Sequence, residues 1–151
     1  MPPRLDQSWF TPAVFWHIAL AFALSFVIGF ERELRGAPAG DRTFALVGTG
    51  AAAITTVTLG SSPQAIAGVV TGVGFIGAGL LFRGTEGTLK GMTSAATIFA
   101  VAAIGIVAGT GHLLLATGVT AIVLVDLELR QIPVLKYLDS RRYGRDDDDM
   151  I

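Results

Sequence analysis

The chain has 151 residues, 52% hydrophobic and only 15% charged, with mean hydropathy +0.62 and a formal net charge of −1. Average globular chains carry roughly a quarter charged residues, so this is the composition of a membrane protein rather than a soluble one. The near-neutral balance gives no field to recruit nucleic acid, and the absence of cysteine excludes disulfide and thiolate chemistry.

In chain order, residues 1–10 form a leader with Arg4 and Asp6, expected outside the cytoplasm. The apolar run behind it, Thr11–Phe30, exceeds the roughly 7–15 residues of a signal core, and no positive leader precedes it, so it reads as a retained span. Pro12 opens it where a missing N–H costs nothing. Further apolar runs cover Thr43–Leu59, Ala65–Phe82, Met92–Ala108 and Leu113–Leu129. Loops rich in Gly, Pro and Ser separate them. Barrel strands would alternate apolar and polar residues. These runs are continuously apolar, so the expected fold is an all-α bundle of five membrane-spanning helices over residues 11–130. Residues 131–151 read as a disordered cytoplasmic tail.

Charge sets the expected orientation. Arg32, Arg35 and Arg42 lie in the first loop, Arg83 and Lys90 in the third, and Arg130, Lys136, Arg141, Arg142 and Arg145 after the last span. Only Arg4 falls on the other side. The positive-inside rule then places the N-terminus outside and the C-terminus inside, which requires an odd number of spans. Trp9 and Trp16 suit an outer aromatic belt. His17 and His112 have no second ligand at metal spacing.

Two pairs of glycines, Gly68/Gly72 and Gly105/Gly109, have the four-residue spacing that lets helix backbones approach in lipid. Gly74, Gly77 and Gly79 extend the pattern in the third span, which is therefore expected at the centre of the bundle and tight against the fourth. Gly72-Val-Gly74-Phe-Ile-Gly77 also matches a dinucleotide fingerprint, but it lacks the strand, the helix start and the distant acid such a site needs.

The polar residues concentrate in a knot between the first two spans: Glu31, Arg32, Glu33, Arg35, Asp41 and Arg42. If the first helix continues, Glu31 and Arg35 stand one turn apart and can pair. Asp41 is placed to cap the second helix. Asp126, deeper in the last span, is expected to pair with Arg32, Arg42 or Arg83, because an unpaired charge there is expensive. These residues form either a functional polar site or a set of interfacial anchors, and the residues alone divide the two readings evenly. Asp146–Asp149 form a solvated run with at most weak affinity for Mg²⁺ or Ca²⁺, since no shaped cage surrounds it. No confident metal site, no cofactor and no catalytic residue is expected.

Ordered blocks of this sequence resemble the MgtC/SapB family of bacterial membrane proteins. They run from Gly29-Phe-Glu31-Arg32-Glu33 through Gly36, Gly40 and Arg42-Thr43, then Gly72-Val-Gly74-Phe75-Ile-Gly77-Ala-Gly79, Gly91-Met-Thr93-Ser-Ala95-Ala96-Thr97, Ala102-Ala103-Ile104-Gly105 and Gly109-Thr-Gly111. The resemblance implies a multi-pass inner-membrane protein tied to growth in low Mg²⁺ and to pathogen survival in host cells. It also implies regulation of a membrane partner, the F-type ATP synthase, rather than enzymatic work. Gln64 stands where a basic residue is common in the family, Gly68 where a Gln is common, and Phe99 where Trp is usual. With only residues 131–151 after the last span, the cytoplasmic domain many members carry is not expected here. Expected partners are membrane lipid, a membrane protein and further copies of the chain, with no nucleic acid. The alternative function is a small transporter or channel for Mg²⁺ or protons.

Overall fold

The computed structural model describes residues 11–81 and 91–129. Arg83, the leader and the C-terminal tail with Asp146–Asp149 lie outside the described residues. Five helices follow one another: α1 (Pro12–Leu34), α2 (Asp41–Thr58), α3 (Pro63–Leu81), α4 (Met92–Gly109) and α5 (Leu113–Leu129). No strand occurs among the described residues. α1, α3 and α4 are each long and apolar enough to cross a membrane. α5, at 17 residues, is about 26 Å long at 1.5 Å per residue, close to the bilayer's hydrocarbon thickness.

α1 runs one turn beyond its apolar stretch, so Glu31, Arg32 and Glu33 are helical. Its end is fixed by Gly36, at φ +66°, which lets the Gly36 N–H bond to the Glu33 carbonyl (2.9 Å) and the Ala37 N–H to that of Arg32 (3.0 Å). A left-handed glycine just past the last turn is the usual way to satisfy those carbonyls. The same arrangement closes α4 at Gly111, φ +87°.

α4 is the central helix and touches the other four. Its buried face carries Ser94, Thr97, Ile98, Val101, Ala102, Ile104, Gly105, Ala108 and Gly109. The helices that meet it are trimmed to match. Ala21, Ser25 and Gly29 recur every four residues on the buried side of α1, and Ala45, Gly48 and Ala52 line that of α2. A Cβ on Gly105 would sit 2.3 Å from the Gly48 carbonyl oxygen, and one on Gly109 would sit 2.6 Å from that of Ala52. One on Gly29 would lie 2.7 Å from the Asp41 Cα. The tightest seams are therefore α1–α2 and α2–α4. Such close backbone approach maximises dispersion contacts, which hold helices together where surrounding lipid is as apolar as they are.

The central position expected for α3 is not what the fold adopts. α3 lies at the edge, against α2 and α4. Of its glycines only Gly77 meets a neighbour, with Ala95 Cβ at an ordinary 3.6 Å. A Cβ on Gly68, Gly72, Gly74 or Gly79 would meet nothing within 4 Å. Gly68 and Gly72 instead line an open apolar groove of about 530 Å³ between α2 and α3. Small residues permit close packing but do not attract it; a partner surface of matching shape is also required, and α2 offers that to α4.

Candidate functional site

The helices alternate in direction, and tertiary contacts gather their ends into two groups. At one end, a Cβ on Gly91 would lie 3.3 Å from the Leu80 carbonyl and 3.9 Å from Pro38, so the α3 and α4 termini meet the α1–α2 turn. At the other, His17 lies beside Gly111, and Thr56 Oγ1 donates to the Gly109 carbonyl (3.2 Å). His17, Thr56 and Thr110 line a pocket of about 270 Å³ there. The charged knot belongs wholly to the first end.

Within it, Arg35 is the hub. Its Nε lies 2.6 Å from Glu31 Oε1, and its Nη2 donates to Glu128 Oε1 at 2.5 Å. The first contact joins residues one helical turn apart; the second ties α1 to the end of α5. The hydrogen bond to Glu128 is the main influence raising the Arg35 pKa above its ordinary value, against partial desolvation, which lowers it. Glu31 is mostly buried, at 12% exposure of its side chain, and its Oε2 lies 3.8 Å from Arg32 Nη1. Neither Glu31 oxygen nor Arg32 Nε makes a well-directed hydrogen bond among the described residues. Glu31 is thus held by charge proximity rather than by aligned donors.

Glu33 has a different task. Its Oε2 accepts the Asp41 backbone N–H at 3.1 Å, satisfying a free donor at the start of α2 from a neighbouring helix. Gly40 leaves the room for this, since a Cβ there would press on the Glu33 carboxylate. Asp41 does not cap α2 as expected. It is the first helical residue, Gly40 occupies the cap position without a side chain to bond, and Asp41 Oδ1 accepts only the adjacent Arg42 N–H, at 2.5 Å. The glycine permits the turn, and Glu33 supplies the acceptor it lacks. Arg42 is exposed and makes no ion pair among the described residues.

Asp126 is exposed and pairs with neither Arg32 nor Arg42 among the described residues; the third expected partner, Arg83, lies outside them. Glu128, two residues on, is the acid of α5 that reaches Arg35. Two positions are about 200° apart around a helix, and periodicity could not say which face α5 turns to α1. The missed residues are the small seam positions Ser25, Gly29 and Gly48. The signal for the seam was present as Ala21-x-x-x-Ser25-x-x-x-Gly29 in α1. Among the described residues no group of three or more His, Cys, Asp or Glu side chains could hold a metal ion.

The charged turn thus lies at the end of a membrane bundle and joins α1, α2 and α5. The sequence that builds this arrangement matches the MgtC family over residues 18–133. The chain belongs to that family. A protein named MgtC from Brucella abortus is 40% identical over 133 residues, covering 83% of this chain and 55% of the relative. One of the same name from Salmonella typhimurium is 39% identical over 113 residues, covering 72% and 48%. An uncharacterised Haemophilus influenzae protein is 34% identical over 130 residues, covering 77% and 55%. This MgtC-family chain therefore spans about half the length of the curated relatives it matches. No solved structure matches it.

Proposed function

We propose that this MgtC-family membrane protein is a non-enzymatic, multi-pass regulator in the bacterial inner membrane. All five helices cross the bilayer, with the charged end in the cytoplasm, where the positive-inside rule puts the basic loops. Its task is adaptation to Mg²⁺ limitation, through contact with a membrane partner such as the F-type ATP synthase. One observation carries the choice of regulator over conduit. Among the described residues the buried polar side chains of the bundle interior are only Ser25, Thr55, Ser94, Thr97 and Thr120, with no carboxylate among them. An ion crossing hydrocarbon needs charged or carbonyl ligands along its path. Here the acids gather at one end, where Glu33, Arg35, Arg42 and Glu128 reach the surface and can meet a partner.

Two measurements test this reading. ATP synthase subunits should co-purify with the tagged chain and be lost on charge reversal at Arg42, an exposed residue outside the ion cluster. Proteoliposomes holding the purified chain should show no Mg²⁺ or H⁺ flux above empty vesicles; flux abolished by Glu31→Gln would establish the transporter reading instead. A reporter fused at Ile151 and found outside the cytoplasm would overturn the orientation.

A further inference from the structure

Between α1 and α5, at the charged end, lies a cleft of about 400 Å³. Its membrane-facing wall is apolar, formed by Phe30, Leu34 and Leu124, and its rim is Glu31, Arg35 and Glu128. Such a cleft sits where hydrocarbon gives way to headgroups, because its apolar part belongs to the spans and its polar part to their ends.

The rim carries both signs side by side. Arg35 holds Nε 2.6 Å from Glu31 Oε1 and donates one Nη2 hydrogen to Glu128. A guanidinium has five N–H donors, so it retains donors with no partner among the described residues. Glu128 receives Arg35 on Oε1 alone. Its side chain is 55% exposed, leaving Oε2 without a hydrogen-bond donor among the described residues. Glu31 is balanced by Arg32 on its other side. The cluster of two acids and two arginines is therefore neutral overall but dipolar towards the cleft.

We infer that this cleft binds a zwitterionic aminophospholipid, with its primary ammonium on Glu128, its phosphate on Arg35 and an acyl chain along Phe30, Leu34 and Leu124. The charge pattern selects this occupant. An anionic glycerol headgroup satisfies Arg35 but sets no cation against Glu128. A choline headgroup carries a cation without N–H donors, so it cannot hydrogen-bond the open carboxylate oxygen. A soluble polyamine leaves Arg35 and the apolar wall uncovered. An ethanolamine headgroup meets all three surfaces, and the spare Arg35 donors suit phosphate oxygens. Because Glu128 stands at the end of α5, an occupied cleft would also fix α5 against α1.

Native mass spectrometry of the full chain, released from micelles with equimolar phosphatidylethanolamine, phosphatidylglycerol and phosphatidylcholine of identical acyl chains, tests the site. Retention of phosphatidylethanolamine should exceed that of either competitor about threefold, the scale of one interfacial charged contact. Glu128→Gln should remove the preference over phosphatidylcholine while leaving helical content unchanged. Asp126→Asn, on the same helix but outside the cleft, should keep the preference. Equal retention of the three lipids by the unaltered chain, or an undiminished preference in Glu128→Gln, would overturn the inference. If Glu128→Gln lost helical content, Leu124→Trp, which fills the apolar wall and leaves the rim intact, decides the question: it should lower retention of phosphatidylethanolamine, and unchanged retention counts against the site.

Discussion

Replacing Gly105 with alanine puts a methyl group into one of the two tightest seams of the bundle. The new Cβ would sit 2.3 Å from the Gly48 carbonyl oxygen, 2.9 Å from Ala51 Cβ and 3.1 Å from the Gly48 carbonyl carbon. Heavy atoms attract best at about 3.5–4.0 Å, so α2 and α4 must separate locally by about 1 Å. Backbone atoms of a packed helix cannot give way by a rotamer change, and overpacking of this kind costs about 1–3 kcal/mol. Against this stands a helix-propensity gain of at most about 1 kcal/mol for Gly→Ala. The expected net effect is a loss of about 1–2 kcal/mol, taking the upper part of the overpacking range because three contacts are violated at once. Gly72→Ala is the internal control. It adds the same methyl group at a position with nothing within 4 Å, and should be neutral or stabilising. Reversible unfolding in mixed dodecylmaltoside and SDS micelles, followed by circular dichroism, reads both. If Gly105→Ala were as stable as the unaltered chain, or if the two variants shifted alike, the α2–α4 seam would not be the close contact described.

Three further outcomes follow from the same geometry. Glu33→Ala removes the acceptor for the first amide of α2 and should cost about 1 kcal/mol, as loss of a cap does, with faster hydrogen exchange confined to the start of that helix. Gly36→Ala meets no steric neighbour but must hold φ +66°, and should cost about 1–2 kcal/mol by the same unfolding assay. Ser25→Ala deletes a fully buried hydroxyl with no hydrogen-bond partner among the described residues. It should leave stability unchanged or raise it by about 1 kcal/mol, and a loss above that scale would show that the hydroxyl is bonded after all.

Much of the architecture was legible in one dimension. Five apolar runs became five helices with boundaries shifted by a few residues, because apolar length and turn-forming breaks act locally. The largest shift, α1 running on to Leu34, is also local: Glu31, Arg32 and Glu33 are adequate helix formers, and the first residue able to close the helix in the left-handed conformation is Gly36. The Glu31–Arg35 contact was readable for the same reason, since one helical turn separates the two.

What depended on how helices meet was not readable. Glycines are densest in α3, yet α3 lies at the edge, while the fewer glycines of α4 meet Gly48 and Ala52 of α2. Asp126 and Glu128 are equally acidic, and only the rotation of α5 about its own axis brings one of them to Arg35. Asp41 stood at a capping position in the sequence, but the cap came from Glu33, eight residues earlier and one helix away. The sequence by itself determined where the chain is apolar, where it turns and where its charge collects, since each is a property of neighbouring residues. The tertiary structure decided which glycines are contacts, which acid of α5 meets Arg35 and which carboxylate caps α2. Those outcomes rest on the complementarity of two surfaces distant in sequence, and no single helix carries that information.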